Sequence, residues 1–164
     1  MKRFVLALAL VVLAACGPNK QVAADNLTAA NTFLAKNGKA AGVVTLPSGL
    51  QYKIVQSGPA TGAKPHKGDE VKVHYEGKLL DGKVFDSSYE RGAPAAMPID
   101  ALIPAWIEAL QLMRPGDVWM LYVPPELGYG EEGAGGGEIP GNSVLIFKIE
   151  LIGVLPGPGS VGQG

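Results

Sequence analysis

From Val71 to Glu76 apolar and polar positions alternate with a period of two. Val71, Val73 and Tyr75 fall on one face and Lys72, His74 and Glu76 on the other, which predicts a half-buried strand. Asp81-Gly82 predicts the turn, because Asp-Gly supplies the positive φ angles of a tight hairpin. The chain returns through Val84 and Phe85, and Asp86-Ser87-Ser88 ends the arm with side chains suited to bonding local backbone. Such a hairpin directs Tyr75, Phe85 and Asp86 into one pocket, where an aromatic hydroxyl and a carboxylate share an apolar neighbourhood. On these residues alone, a plain hairpin whose Asp86 caps a turn fits equally well.

The same reasoning predicts strands near residues 50–56, 70–79, 83–86, 118–123 and 144–152. Turn signals stand at Gly58-Pro59, Asp81-Gly82, Pro115-Gly116 and Gly141-Asn142. One helix is expected between them, from Pro104 to about Met113. Proline suits its first turn, where an N–H has no intrahelical acceptor, and Pro115-Gly116 supplies the stop. Trp106, Leu110 and Met113 at i, i+4 and i+7 form one apolar stripe. In the last strand Leu145, Phe147, Ile149 and Leu151 alternate with Ile146, Lys148 and Glu150, so Phe147 should face the helix. The expected fold class is α+β, a strongly twisted antiparallel sheet forming a half-barrel around one short helix.

The ends of the chain differ from this block. Lys2 and Arg3 precede an apolar run that ends Leu13-Ala14-Ala15-Cys16, which predicts an export signal over residues 1–15, too short for a permanent membrane-spanning helix. Small residues before a cysteine look like the bacterial lipobox, in which the cysteine is lipidated and becomes the first mature residue. A plain signal with an incidental cysteine is the alternative. Cys16 is the only cysteine of the chain, which excludes an internal disulfide, a Cys-based metal site and a catalytic thiol. Gly17 follows it rather than Asp, which by analogy with bacterial sorting favours the outer membrane, facing the periplasm. Asp25 or Asn26 could cap a helix through Leu27, Ala30, Phe33 and Leu34. Residues 156–164, rich in Gly and Pro, predict a disordered tail.

Further motifs follow the hairpin in order: Pro94-Ala95-Ala96-Met97-Pro98-Ile99, Leu102-Ile103-Pro104-Ala105-Trp106, Pro125-Glu126-Leu127-Gly128-Tyr129-Gly130, Ile139-Pro140, and the strand from Val144 to Leu151. Together they resemble the FK506-binding-protein (FKBP) family of peptidyl-prolyl isomerases over about residues 46–153. The resemblance implies a prolyl pocket with Tyr75, Phe85, Asp86, Trp106, Tyr129 and Phe147 as the catalytic set and Trp106 as the floor beneath the prolyl ring. Met97, Leu102, Ile103 and Ile139 would complete the substrate-binding wall. The Tyr129 hydroxyl and the main-chain N–H near Ile103 would orient the substrate backbone. Asp86 would accept a hydrogen bond from Tyr75 and present its carboxylate towards the twisting amide. No cofactor or metal is implied, and the partners are proline-containing polypeptides, with FK506-type macrolides as candidate inhibitors.

Three positions depart from the family pattern. Met97 stands where an aromatic is frequent, Ala95 is small at another wall position, and Ala105 replaces the glycine that commonly precedes the tryptophan. The acidic, glycine-heavy loop of residues 131–138 predicts a mobile flap beside the pocket. The chain therefore divides into a removed lipoprotein signal (1–15), a lipidated tether with a short helix (16–45), an isomerase domain (46–153) and a disordered tail (154–164). Some relatives dimerise through long N-terminal helices, but a helix this short is marginal alone, so a spacer and a monomer are expected.

Charge narrows the partners further. Without residues 1–15 the chain has 12 Lys and Arg against 15 Asp and Glu, a formal charge of −3. Nucleic acid is not an expected partner, and no basic run exists to bind anionic lipid, so attachment rests on the acyl chains. His66 and His74 are expected on a loop and an outward strand face, without a shared metal. Two other classes compete with an isomerase: a non-catalytic holdase or peptide-binding module using the same groove, and an inert surface lipoprotein on the same scaffold.

Overall fold

The computed structural model describes residues 18–157 of the 164-residue chain. In order these form helix α1 (Pro18–Asn37), strands β1 (Val43–Thr45), β2 (Gln51–Gln56), β3 (Glu70–Lys78), β4 (Val84–Ser87) and β5 (Ala95–Pro98), helix α2 (Pro104–Leu110), and strands β6 (Val118–Val123) and β7 (Leu145–Leu155). Short 3-10 turns occupy Ile99–Ala101, Pro125–Leu127 and Gly135–Gly137.

All seven strands join one antiparallel sheet in the order β1-β2-β6-β7-β3-β4, with β5 also pairing β3. The long β3 and β7 run side by side from Glu70 opposite Leu155 to Lys78 opposite Ile146. Their alternation does what the sequence predicts: Val71, Val73 and Tyr75 of β3 and Leu145, Phe147, Ile149 and Leu151 of β7 are buried. α2 lies against this face and buries Ala105, Trp106, Ala109 and Leu110, with Met113 buried just beyond its end. Side chains of both layers form one core cluster.

Pro104 opens α2, and the regular helix closes at Leu110 rather than near Met113. The last turn tightens there: the Met113 amide is shared between the carbonyls of Ala109 and Leu110. Gly116, at φ 94°, then sends its N–H to Leu151 O at 2.7 Å, a backbone conformation that suits glycine. The buried Asp117 carboxylate joins this corner to the loop after β2, accepting from the amides of Gly58 at 2.6 Å and Arg114 at 2.9 Å.

Several expectations need correction. The hairpin turn is longer than a two-residue connection. Leu79 O accepts from Gly82 N at 3.0 Å, Leu79 N donates to Lys83 O at 2.9 Å, and only Gly82 has positive φ, while the Asp81 carboxylate accepts from Lys83 N. This is the wider turn in which a glycine follows a type I bend. β1 and β5 went unforeseen because each is short; β5 (AAMP) has little strand propensity and exists by pairing with Glu70–Val73. The sheet thus begins before residue 46, and β7 reaches Leu155, so Val154 and Leu155 belong to the sheet and not to a tail. Gly157 N donates to Asp69 Oδ1 at 2.9 Å. The expected signal (1–15), Cys16 and the tail from residue 158 onward lie outside the described residues.

α1 differs most from expectation. It begins at Pro18, ahead of the predicted caps Asp25 and Asn26, and it lies on the domain instead of standing off as a spacer. Ala23 and Ala30 are buried, and the Phe33 ring meets Tyr122 at 6.0 Å. Buried Gln51 ties its end: Nε2 donates to Leu34 O, and Oε1 accepts from Asn37 Nδ2, both at 2.9 Å.

Gln51→Leu removes both bonds and leaves Leu34 O and the Asn37 amide unsatisfied. The expected cost is about 1–2 kcal/mol by urea denaturation, with faster tryptic cleavage at Lys36 and Lys39.

Candidate active site

The concave side of the sheet leaves a cavity of about 440 Å³ at one end of α2. Its floor is Trp106, in the first turn of α2 and 4% exposed. Tyr75 from β3 meets the indole edge-on at 5.1 Å and 84°, and Phe147 from β7 does so at 5.2 Å and 85°. Phe85 from β4 stands edge-on to Phe147 at 5.6 Å and 89°. Edge-to-face contacts of this kind add about 0.5–1.5 kcal/mol each beyond area burial, so the rings hold one another in place.

That ring cluster depends on an absence. Gly77 lies opposite Phe147 on β7 and Asp86 on β4, and a Cβ there would come within 2.6 Å of both the Phe147 and Phe85 rings. This glycine follows His74-Tyr75-Glu76 in the sequence, but only the sheet register explains it.

Asp86 lies on the cavity rim in a three-membered polar network. The Tyr75 hydroxyl donates to Asp86 Oδ2 at 2.5 Å, Arg91 Nη1 donates to Asp86 Oδ1 in an ion pair, and Arg91 Nη2 donates to the Tyr75 oxygen at 2.8 Å. The Arg91 guanidinium also lies 5.5 Å from the Tyr75 ring centre, within cation–π range. Burial pushes the Asp86 carboxyl up, but the hydrogen bonds from Tyr75 and Arg91 and the Arg91 charge together hold it below its ordinary value. Burial first, and then the bond to Asp86, raise the Tyr75 hydroxyl. At neutral pH the site therefore holds a carboxylate, a neutral phenol and a guanidinium. Each carboxylate oxygen accepts a bond from within the protein, so Asp86 serves as the hub of this network.

Ser88 fixes the strand that carries Tyr75. Its Oγ accepts from Tyr75 N at 2.8 Å and lies 2.9 Å from His74 Nδ1, while its own N–H donates to Tyr75 O. His74, on the outward face, stacks on Tyr89 at 4.7 Å; His66 is on a loop beside Asp69.

The remaining wall is aliphatic. Met97, Leu102, Ile103 and Ile139 line the cavity, and Tyr129 stands at its mouth, 40% exposed. The Ile103 N–H and the Tyr129 hydroxyl make no hydrogen bond among the described residues and so remain available to a ligand. All ten side chains that the sequence assigns to the pocket line this one cavity. Sequence reasoning missed Arg91, Ala101, Ala134 and Gly135. Arg91 carried one faint signal, an arginine five residues after Asp86 followed by a turn glycine. Ala95 does not line the cavity; it pairs with Val73 in the sheet. Ala105 is fully buried in α2.

A half-open sheet wraps one helix, and a ring-walled cavity opens over an indole. Comparison with known proteins agrees. The sequence pattern described as FKBP-type peptidyl-prolyl cis-trans isomerase matches residues 61–152, and the one described as the domain amino terminal to it matches residues 13–54. The chain is similar to peptidyl-prolyl cis-trans isomerase Mip of Coxiella burnetii, at 51% identity over 79% of this chain and 55% of that protein. It is similar also to the FKBP-type 22 kDa peptidyl-prolyl cis-trans isomerase of Escherichia coli, at 50% identity over 75% of this chain and 58% of that protein. Among solved structures, FkpA from Escherichia coli superposes with a TM-score of 0.80 at 42% identity, covering 85% of this chain and 64% of that one. The chain belongs to the FKBP-type peptidyl-prolyl cis-trans isomerase family. It spans about half the length of the curated relatives it matches.

Gly77→Ala should drive Phe85 and Phe147 apart, costing about 1–3 kcal/mol in urea denaturation and weakening the near-ultraviolet circular dichroism of the ring cluster. The lowered Asp86 value has a definite sign. Its contribution to stability is complete above the ordinary carboxylate value and is lost as pH falls through the depressed folded value. Asp86 is partly solvent-exposed, so at most about 1 kcal/mol is at stake. Urea midpoints of the wild type and Asp86→Asn should differ at neutral pH and converge as pH falls below about 4.

Proposed function

We propose that the protein is a peptidyl-prolyl cis–trans isomerase acting on proline-containing polypeptides outside the cytoplasm. The observation that carries this reading is the cavity itself: three edge-packed rings, an indole floor and an aliphatic far wall enclose a space suited to a prolyl ring.

Rotation about an X–Pro bond breaks amide resonance against a barrier of about 18–20 kcal/mol. No bond is made or cleaved, so the work falls to interactions that favour the twisted amide over the planar one. The planar amide is the more polar, and a cavity of rings and aliphatic chains offers its carbonyl little. Trp106 holds the prolyl ring by its face while Tyr75, Phe85 and Phe147 bound its edges. The substrate backbone on either side is oriented by the unpaired Ile103 N–H and the Tyr129 hydroxyl. Every ~1.4 kcal/mol of such preference gives a tenfold gain in rate. The network of Asp86, Arg91 and Tyr75 keeps the rim polar and the Tyr75 ring upright; no proton moves, so Asp86 acts as a fixed charge. FK506-type macrolides would occupy the same cavity.

We place the protein at the cell envelope as a lipid-anchored monomer, with Cys16 as the lipidated residue after removal of residues 1–15, on the periplasmic face of the outer membrane. Leu13-Ala14-Ala15-Cys16 supports this, as does the similarity, at 50% identity, to a protein of Legionella longbeachae called outer membrane protein MIP.

A protease-coupled peptide assay or proline-limited refolding tests the activity. Wild type should accelerate the reaction, and Phe85→Ala and Trp106→Leu should each lower kcat/KM by about tenfold or more, the loss of roughly 1.4 kcal/mol of differential binding. A wild-type rate equal to buffer would refute isomerisation; suppressed aggregation without acceleration would put a holdase in its place. Incorporation of labelled fatty acid, abolished by Cys16→Ala, tests the anchor.

A further inference from the structure

The loop over residues 131–141 has two sides. On one, Ala134 and Ile139 wall the prolyl cavity; on the other, the same two residues border a cleft of about 590 Å³ whose opposite wall is α1, at Asn19 and Val22. Ala134 and Ile139 bond each other twice through their main chains, at 2.9 and 3.0 Å. The cleft therefore adjoins the prolyl cavity across one turn of chain. A polypeptide leaving that cavity in an extended form advances about 3.3 Å per residue, so side chains within a few positions of the proline reach it.

The helix is held to this loop by two crossed bonds. Asn26 Nδ2 donates to Gly141 O at 2.9 Å, and Asn142 Nδ2 donates to Ala23 O at 3.1 Å. Asn142 adopts a φ of 56°, a left-handed conformation that asparagine tolerates better than most residues. Gly141 admits no side chain, since a Cβ there would lie 1.9 Å from Glu131 O and 3.3 Å from the Ala23 methyl.

The ionisable residues lining the cleft are Glu131 and Glu132. Both are exposed, and neither carboxylate has a salt-bridge or hydrogen-bond partner among the described residues. Among the described residues, no Lys, Arg or His lines the cleft to neutralise them.

We propose that this cleft is a second subsite for the substrate polypeptide, selecting a lysine or arginine near the isomerised proline through Glu131 and Glu132. The substrate class rests on the isomerase reading above. The cleft shares the wall formed by Ala134 and Ile139 with the prolyl cavity and carries the charge complementary to a basic side chain. α1 is thereby part of the substrate-binding surface, which gives the amino-terminal helix a role in specificity.

The test uses the full chain and peptides that share one X–Pro core and carry Lys, Ala or Glu at each of the three positions on either side of it. At one position at least, kcat/KM for Lys should exceed that for Glu by about threefold or more, the size expected of partly exposed charge pairs, and high salt should shrink the ratio. Within Glu131→Gln/Glu132→Gln the ratio should fall to about one; taking it inside each variant cancels any change in overall activity. Val22→Lys, on the exposed helix wall, should lower the ratio by placing a cation opposite the carboxylates. A ratio of one at every position in wild type, or one that survives the double substitution, overturns the subsite. Failure to turn over the Ala peptides would sink the isomerase reading instead. Fluorescence anisotropy with the same peptides then decides the cleft separately, by whether the double substitution abolishes a preference for Lys in binding.

Discussion

Trp106 is where the two layers of the domain meet. Its indole is almost wholly enclosed, with Tyr75 and Phe147 edge-on to it, so the distance between α2 and the β3–β7 pair is set by ring thickness. An indole cannot deform as a methionine can, and that rigidity keeps a cavity open above it. A smaller residue would let the layers collapse and fill the space; packing at native density leaves few voids unless rigid groups prop them open. Among the described residues the indole N–H has no hydrogen-bond partner, an omission that ordinarily costs about 1–3 kcal/mol. Flanking the ring with aromatic neighbours on two sides offsets part of that, and the floor stays apolar where a prolyl ring would rest.

The rim follows opposite rules. Tyr75 contributes its ring to the interior and its hydroxyl to the polar network, so one side chain joins the two regimes. Arg91 is at the surface, Asp86 is partly enclosed, and the phenol between them keeps both charges at the border of the cavity instead of inside it. Charges drawn deeper would lose solvation that the pair could not restore. Gly77 makes the geometry possible from beneath, because only a residue without a Cβ lets Phe85 and Phe147 converge from neighbouring strands.

What was legible in the sequence, and what was not, divides along physical lines. Period-two alternation located β3, β6 and β7 because each buries one face against a single layer, and the Trp106-Leu110-Met113 stripe located α2 for the same reason. β1 and β5 have no such signature; they are short segments made strand by the edges they join. α1 has low amphipathy in its sequence, since its contacts are made by two alanines, the Phe33 ring and the side-chain amides of Asn26 and Asn37, which together leave little hydrophobic period to read. The pocket's apolar residues were accessible through the family resemblance and the alternation together. Arg91 was not, because its role depends on a turn that folds it back over Tyr75, and a lone exposed arginine has no pattern.

The cavity's two halves are built from different materials, and this bears on what it can hold. Tyr75, Phe85, Trp106 and Phe147 lock one another edge to face, so that half presents one fixed shape. Met97, Leu102, Ile103 and Ile139 face them from short or irregular segments: a four-residue strand, the turn ahead of α2 and a glycine-rich loop. Methionine in particular adapts to the shape of its neighbour through three rotatable bonds. A rigid half suits the invariant part of a substrate, the prolyl ring, and a deformable half suits the part that changes from one client to the next. The departure at Met97, where the family often carries an aromatic, extends the deformable half at the expense of the rigid one. The floor is unaffected, because Met97 is carried by β5 and makes no part of the ring cluster on which α2 and the sheet depend.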